Sequence, residues 1–126
     1  MRSLAFAASI ALMLVSAPVR AEWQPPGKVE TGLFVASELL VLYDGLQTLD
    51  LRNHPGRTET NFLMPARPSQ GTILAFTGLG LLANGIVWYA LPAWHVRGAY
   101  SVGVILFETD TVLLNRMHGM RVWWVF

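Results

Sequence analysis

Residues 71–91 read GTILAFTGLGLLANGIVWYAL, a stretch of 21 residues without a single charge. At 1.5 Å per residue a helix of this length covers a hydrocarbon core of about 30 Å. Pro92 follows at once and ends it, and Trp88, Tyr89 and Trp94 mark that end with rings suited to a membrane–water boundary. This segment makes a membrane protein the first reading of the chain.

Two flanking stretches have the same apolar character but are interrupted by acids. Residues 33–49, LFVASELLVLYDGLQTL, contain Glu38 and Asp44. Residues 99–114, AYSVGVILFETDTVLL, contain Glu108 and Asp110. The fold expected is all-α, a small helical transmembrane bundle of three spans at about 29–51, 71–91 and 98–115. A soluble helical domain is the weaker reading. Three such segments in about a hundred residues leave too little polar surface to cover a core.

Composition agrees. The 126 residues are 53% hydrophobic and 13% charged, against the ~25% charged content usual in soluble domains. A net charge of +1 with no basic run gives nothing to attract nucleic acid, and no nucleic-acid partner is expected. With no cysteine, thiolate metal sites, disulfides and cysteine nucleophiles are excluded.

The first 21 residues read as a secretory signal. Arg2 supplies the positive start, residues 4–15 the apolar stretch, and Val19-Arg20-Ala21 a small-residue cleavage site before Glu22. An uncleaved signal anchor is the alternative. Residues 22–28, EWQPPGK, then form a stiff linker, since two prolines and a glycine oppose a helix. The remainder, 22–126, is one three-span domain.

Orientation follows from Lys and Arg placement. Arg52, Arg57, Arg67, Arg116 and Arg121 fall on one side, and only Lys28 and Arg97 on the other. Five against two predicts a bacterial inner-membrane protein with its N-terminus out and C-terminus in. A signal anchor beginning inside gives the same answer.

A charge at bilayer depth costs at least ~2.5–3.5 kcal/mol on insertion scales, so the acids are the main functional signal. At 100° per residue, Ser37, Val41, Asp44, Thr48 and Leu51 share one face, Gln47 flanks it, and Glu38 lies about 120° away. In the second span Gly71, Ala75, Gly78, Leu82, Gly85 and Tyr89 share a small-residue face that lets another helix approach. Asn84 is a candidate cross-helix donor. In the third span Ala99, Gly103 and Asp110 share a face, and Glu108 points about 200° from Asp110. By depth, Glu38, Asn84 and Glu108 form a midplane layer, with Asp44 and Asp110 a turn nearer the cytoplasm. No Lys or Arg falls at either depth. Carboxylates without a cation call for a shared proton, a bound cation or a basic residue from a partner. The ordinary alternative is that they hydrogen-bond between helices as packing glue.

The loop after the first span is the second candidate. Asp44, Gln47, Thr48, Asp50, His54, Glu59 and Asn61 cluster in sequence at its cytoplasmic end, and His118 falls near the same side. His95 belongs to the opposite side, so no three-histidine site is expected. His54-Pro55-Gly56 is a turn signal, and Ser69 is a candidate N-cap for the second span. Neither H-E-x-x-H nor a Ser-His-Asp pattern is present, so no catalytic residue, metal or cofactor is assigned.

The elements Asp44-x-x-Gln47-Thr48, Glu59-x-Asn61 and Pro68-Ser69 resemble a group of small, uncharacterised membrane proteins of bacteria and their phages. Those carry D-x-x-Q-T at the end of a hydrophobic segment and an E-x-N-P-like element before the next. Phe62 stands here in place of the proline. The resemblance covers about a fifth of the chain. It implies a helical membrane protein with its polar residues gathered in the first span and first loop, and no activity.

The function expected is that of an accessory or interaction protein. It would contact membrane lipids and assemble through its helices with itself or another membrane protein. The alternative is a metal- or proton-dependent enzyme, or an ion-binding site, at the cytoplasmic end of the first span.

Overall fold

A computed structural model describes residues 22–59, 61 and 63–122. The signal sequence expected at 1–21 and residues 123–126 lie outside them. The described residues are all-helical, with no strand: α1 (Lys28–Leu49), a 3-10 turn (Asp50–Asn53), α2 (Gln70–Ala90) and α3 (Trp94–Met117).

Each helix boundary has a local cause. Gly27, in extended backbone, is the N-cap of α1, and the Glu30 carboxylate accepts from the Gly27 N–H at 2.7 Å. This is the return half of a capping box. The Ser69 hydroxyl accepts from Thr72 N–H at 3.1 Å and caps α2. Leu91 turns extended ahead of Pro92, so α2 stops there.

The end of α3 is a glycine stop. Gly119 has φ +83°, a left-handed conformation that costs other residues energy. Its N–H reaches Arg116 O at 2.9 Å, and Met120 N–H reaches Asn115 O at 3.0 Å, the paired bonds of a Schellman turn.

Helix directions are read from the pairs that meet. Phe34 stacks on Trp88 at 4.5 Å, Glu38 bonds Asn84, and Arg52 donates to Gln70 at 3.4 Å, so α1 and α2 are antiparallel. Asp44 meets Asn115, and Asp50 meets Arg121, so α1 and α3 run parallel. α3 packs along much of α1, α2 packs more narrowly on α1, and α2 and α3 touch only briefly.

At Gly45 a Cβ would lie within 3.0 Å of Thr77 Cβ and overlap the rest of that side chain, so α1 and α2 approach there as only glycine permits. The apolar core sits at the other end. Trp88, Leu91, Tyr100 and Val104 are buried together, with Phe34, Val41, Val87 and Val96 against them.

The inward face of α1 is the one carrying Ser37, Val41, Asp44 and Thr48, and Leu51 of the 3-10 turn continues it. Ser37, Thr48 and Leu51 are buried and Val41 packs on the core. Most of the small-residue face of α2 turns the other way, although Gly85 is half-buried and a Cβ there would lie 3.6 Å from Phe34. Gly71, Ala75, Gly78, Leu82 and Tyr89 are exposed, and α2 instead buries Ile73 and Trp88 and turns Asn84 inward. Asparagine bonding and the Gly45–Thr77 contact outweigh the small-residue pattern within this chain.

α2 is long and apolar enough to cross a membrane, and among the described residues it alone meets that test. Only 11% of its apolar stretch is buried within the chain. α1 carries Lys28, Glu30, Glu38 and Asp44, and α3 carries Arg97, Glu108, Asp110 and Arg116. These charges make both less apolar than α2.

Candidate functional site

Polar side chains line the interface between the helices from one end to the other. The first group is a three-helix chain. Asn84 of α2 donates its amide to Glu38 of α1, and the Tyr100 hydroxyl of α3 donates to the Asn84 carbonyl oxygen. Asparagine can do both because its side chain carries donors and an acceptor. Each helix contributes one residue.

About two turns further along α1, Asp44 accepts from the Asn115 amide of α3 at 2.7 Å. Glu108 lies on the same inner face of α3, seven residues before Asn115, and it and Glu59 lie within electrostatic reach of Asp44. Among the described residues no Lys or Arg pairs with Glu38, Asp44 or Glu108. Neutral amides hold Glu38 and Asp44 in place of cations. Asp110, on the far side of α3, is exposed and has interactions of its own.

Gln47 and Thr48 are buried beyond Asp44, and the Gln47 carbonyl oxygen has no hydrogen-bond partner among the described residues. Asp50 follows, 3% exposed. Its carboxylate accepts from Asn53 Nδ2 at 2.6 Å and from Arg121 N–H at 2.9 Å, with His54 Nδ1 at 3.7 Å. The same His54 nitrogen lies 3.0 Å from Asp50 O. The carboxylate therefore ties the 3-10 turn to the segment after α3.

Glu59 and Asn61 are engaged within their own loop. Glu59 Oε1 accepts from Asn61 N–H at 2.8 Å, Asn61 Oδ1 accepts from Leu63 N–H at 3.0 Å, and Glu59 N–H bonds Ala66 O at 2.9 Å. The E-x-N element thus closes a turn.

The seven loop-end candidates do not form one cluster. Asp50 and His54 are side by side, Asp44 is turned toward α3, and Glu59 and Asn61 fold onto each other. Among the described residues no trio of His, Asp and Glu is arranged to hold a metal ion. His118 caps α3 and is exposed, and His95 lies exposed in the first turn of α3.

Three contributors were not singled out by sequence reasoning. Tyr100 and Asn115 bond across helices, and both sit at i+3 or i+4 spacing on the inner face of α3 with Val104, Glu108 and Thr111. That spacing was the available signal. Arg97 precedes the span expected at about 98–115, yet α3 begins at Trp94 and Arg97 is 0% exposed. Its guanidinium carbon lies 5.4 Å from the Trp23 ring centre and 5.7 Å from that of Trp88. The neighbouring tryptophans were the clue, since guanidinium groups stack on such rings.

No protein-family model, no curated protein and no solved structure matches this chain.

Proposed function

We propose that the chain is a three-span membrane protein, N-terminus out and C-terminus in, that works as an accessory or interaction protein. It assembles with itself or another membrane protein of the bacterial inner membrane through its helices. The described helices have 22, 21 and 24 residues, each about 30 Å or more at 1.5 Å per residue. The inward-facing acids Glu38 and Asp44 are bonded to amides, which lowers the cost of placing α1 in lipid. The resemblance to small bacterial and phage membrane proteins belongs to the same proposal.

The observation that carries the assembly reading is the outward small-residue face of α2. Gly71, Ala75, Gly78 and Leu82 are exposed, and a Cβ at Gly78 would meet nothing. Within lipid, association depends on close helix approach, which small residues allow. Glu38 and Asp44 do not supply that support, because they have partners inside the chain.

The test is native electrophoresis and cross-linking in gently solubilised membranes, comparing the unaltered chain with Gly78→Leu. Assembly in the first and its loss in the second is the expected result. A wild-type chain that runs alone, with no co-purifying membrane protein, would sink the reading.

A further inference from the structure

Arg97, at the N-terminal end of α3, is a buried charge for which the described residues supply no hydrogen-bond partner. It is 0% exposed, and its Nε, Nη1 and Nη2 have no hydrogen-bond partner among the described residues. The indole N–H of Trp88, whose ring centre lies 5.7 Å from the guanidinium carbon, and the Ser101 hydroxyl, four residues on along α3, are also buried and unbonded among the described residues. The Trp23 and Trp88 rings attract the guanidinium charge, but they accept none of its directed N–H bonds as a lone pair would.

Nearby charges do not satisfy it. Glu30 is the acid that feels Arg97 electrostatically, and its carboxylate is engaged by the Gly27 N–H. The N-terminus of α3 adds positive potential, because Ala93 gives no side-chain cap. A buried guanidinium left with empty donors is costly, and such orphaned groups call for an acceptor such as an ion or a water.

We infer that Arg97, Trp88 Nε1 and Ser101 form an oxyanion site of the phosphate class at the outer end of the bundle. A compact tetrahedral oxyanion offers several acceptor oxygens at once and suits the two-pronged donor edge of arginine. Trp23, 48% exposed, is its cover. The linker bearing it is tethered by Trp23 Nε1 to Tyr89 O at 3.2 Å and Gln24 N–H to Pro92 O at 2.9 Å, so lifting two bonds opens a path. The phosphate comes from a lipid headgroup or from solution, and only the lipid source rests on the three-span reading.

The experiment is heat unfolding of the full chain in a nonionic detergent. Inorganic phosphate is compared with chloride at equal ionic strength, and phosphatidylglycerol in the micelles with none. The site predicts a midpoint raised by several degrees in the wild type and unmoved in Arg97→Met. A rise with both ligands marks a general phosphate site, and a rise with phosphatidylglycerol alone marks a lipid site. No rise with either overturns the inference, as does an equal rise in Arg97→Met. If that variant does not fold, Arg97→Lys replaces it, with a reduced rise expected, and the wild-type titration still decides. Trp23→Ala removes the cover and keeps the donors, so its response persists. Recovery of the chain in the soluble fraction of alkali-washed membranes would refute the membrane reading separately, leaving a response to inorganic phosphate intact.

Discussion

The side-chain amide of Asn84 donates a hydrogen bond to the Glu38 carboxylate across the α1–α2 interface. Because the same amide accepts from Tyr100, this one side chain joins three helices. Replacing Asn84 by Leu leaves a carboxylate and a hydroxyl without their partner, and each orphaned group costs roughly 1–3 kcal/mol. Asn84→Leu should lower unfolding stability in detergent by about 2–4 kcal/mol. The triple change Glu38→Leu, Asn84→Leu, Tyr100→Phe should recover most of it, since removing all partners leaves no polar group stranded. Failure to recover would mean that the polar chain is not the source of the loss.

Gly45 and Thr77 set how closely α1 and α2 approach. Gly45→Ala should destabilise by about 1–3 kcal/mol, the usual range for overpacking a tight contact. Thr77→Ala should be mild alone and should relieve part of the Gly45→Ala defect. Additive losses in the double variant, read from denaturant unfolding, would show that the two residues do not meet.

Asp44 and Asn115 predict an asymmetry. Asp44→Asn keeps a side chain that can accept from the Asn115 amide, so its loss of stability should stay below about 1 kcal/mol. Asn115→Leu strands the Asp44 carboxylate within electrostatic reach of Glu108 and Glu59 and should cost about 1–3 kcal/mol. Equal losses for the two variants would argue against amide support of this acid.

Gly119 ends α3 with φ +83° and directs the chain so that Arg121 N–H reaches Asp50. Gly119→Val should cost about 1–2 kcal/mol for the left-handed backbone. It should also raise amide exchange at Arg121 relative to the middle of α3. An unchanged exchange rate there would separate the glycine from the Asp50 contact.

Much of the framework was legible in the sequence. The uncharged run at 71–91 marks α2 to within a residue at each end, Ser69 marks its cap, and the spacing of Ser37, Asp44 and Thr48 marks the inner face of α1. Those features are local, set by periodicity and side-chain chemistry within one helix. Which residue meets which was not legible. Asn84 stood out as a donor, but its pairing with Glu38 and Tyr100 depends on the rotation of three helices about one another. The pattern likewise marks where the small residues of α2 permit close approach, but not whether the helix that approaches belongs to this chain or to another. Arg97 was misplaced for a similar reason. A charge beside a span reads as loop until the tryptophans that enclose it are brought together by the fold.

The most direct test of the account uses the absence of cysteine, which lets single cysteines report topology. Pro26→Cys, Thr58→Cys and Met120→Cys are introduced one at a time and treated with a membrane-impermeant maleimide in right-side-out vesicles. Three spans with the N-terminus out predict labelling at position 26 in intact vesicles, and at 58 and 120 only after the membrane is opened. Labelling of all three positions in intact vesicles, or recovery of the chain without membrane, would contradict the three-span account.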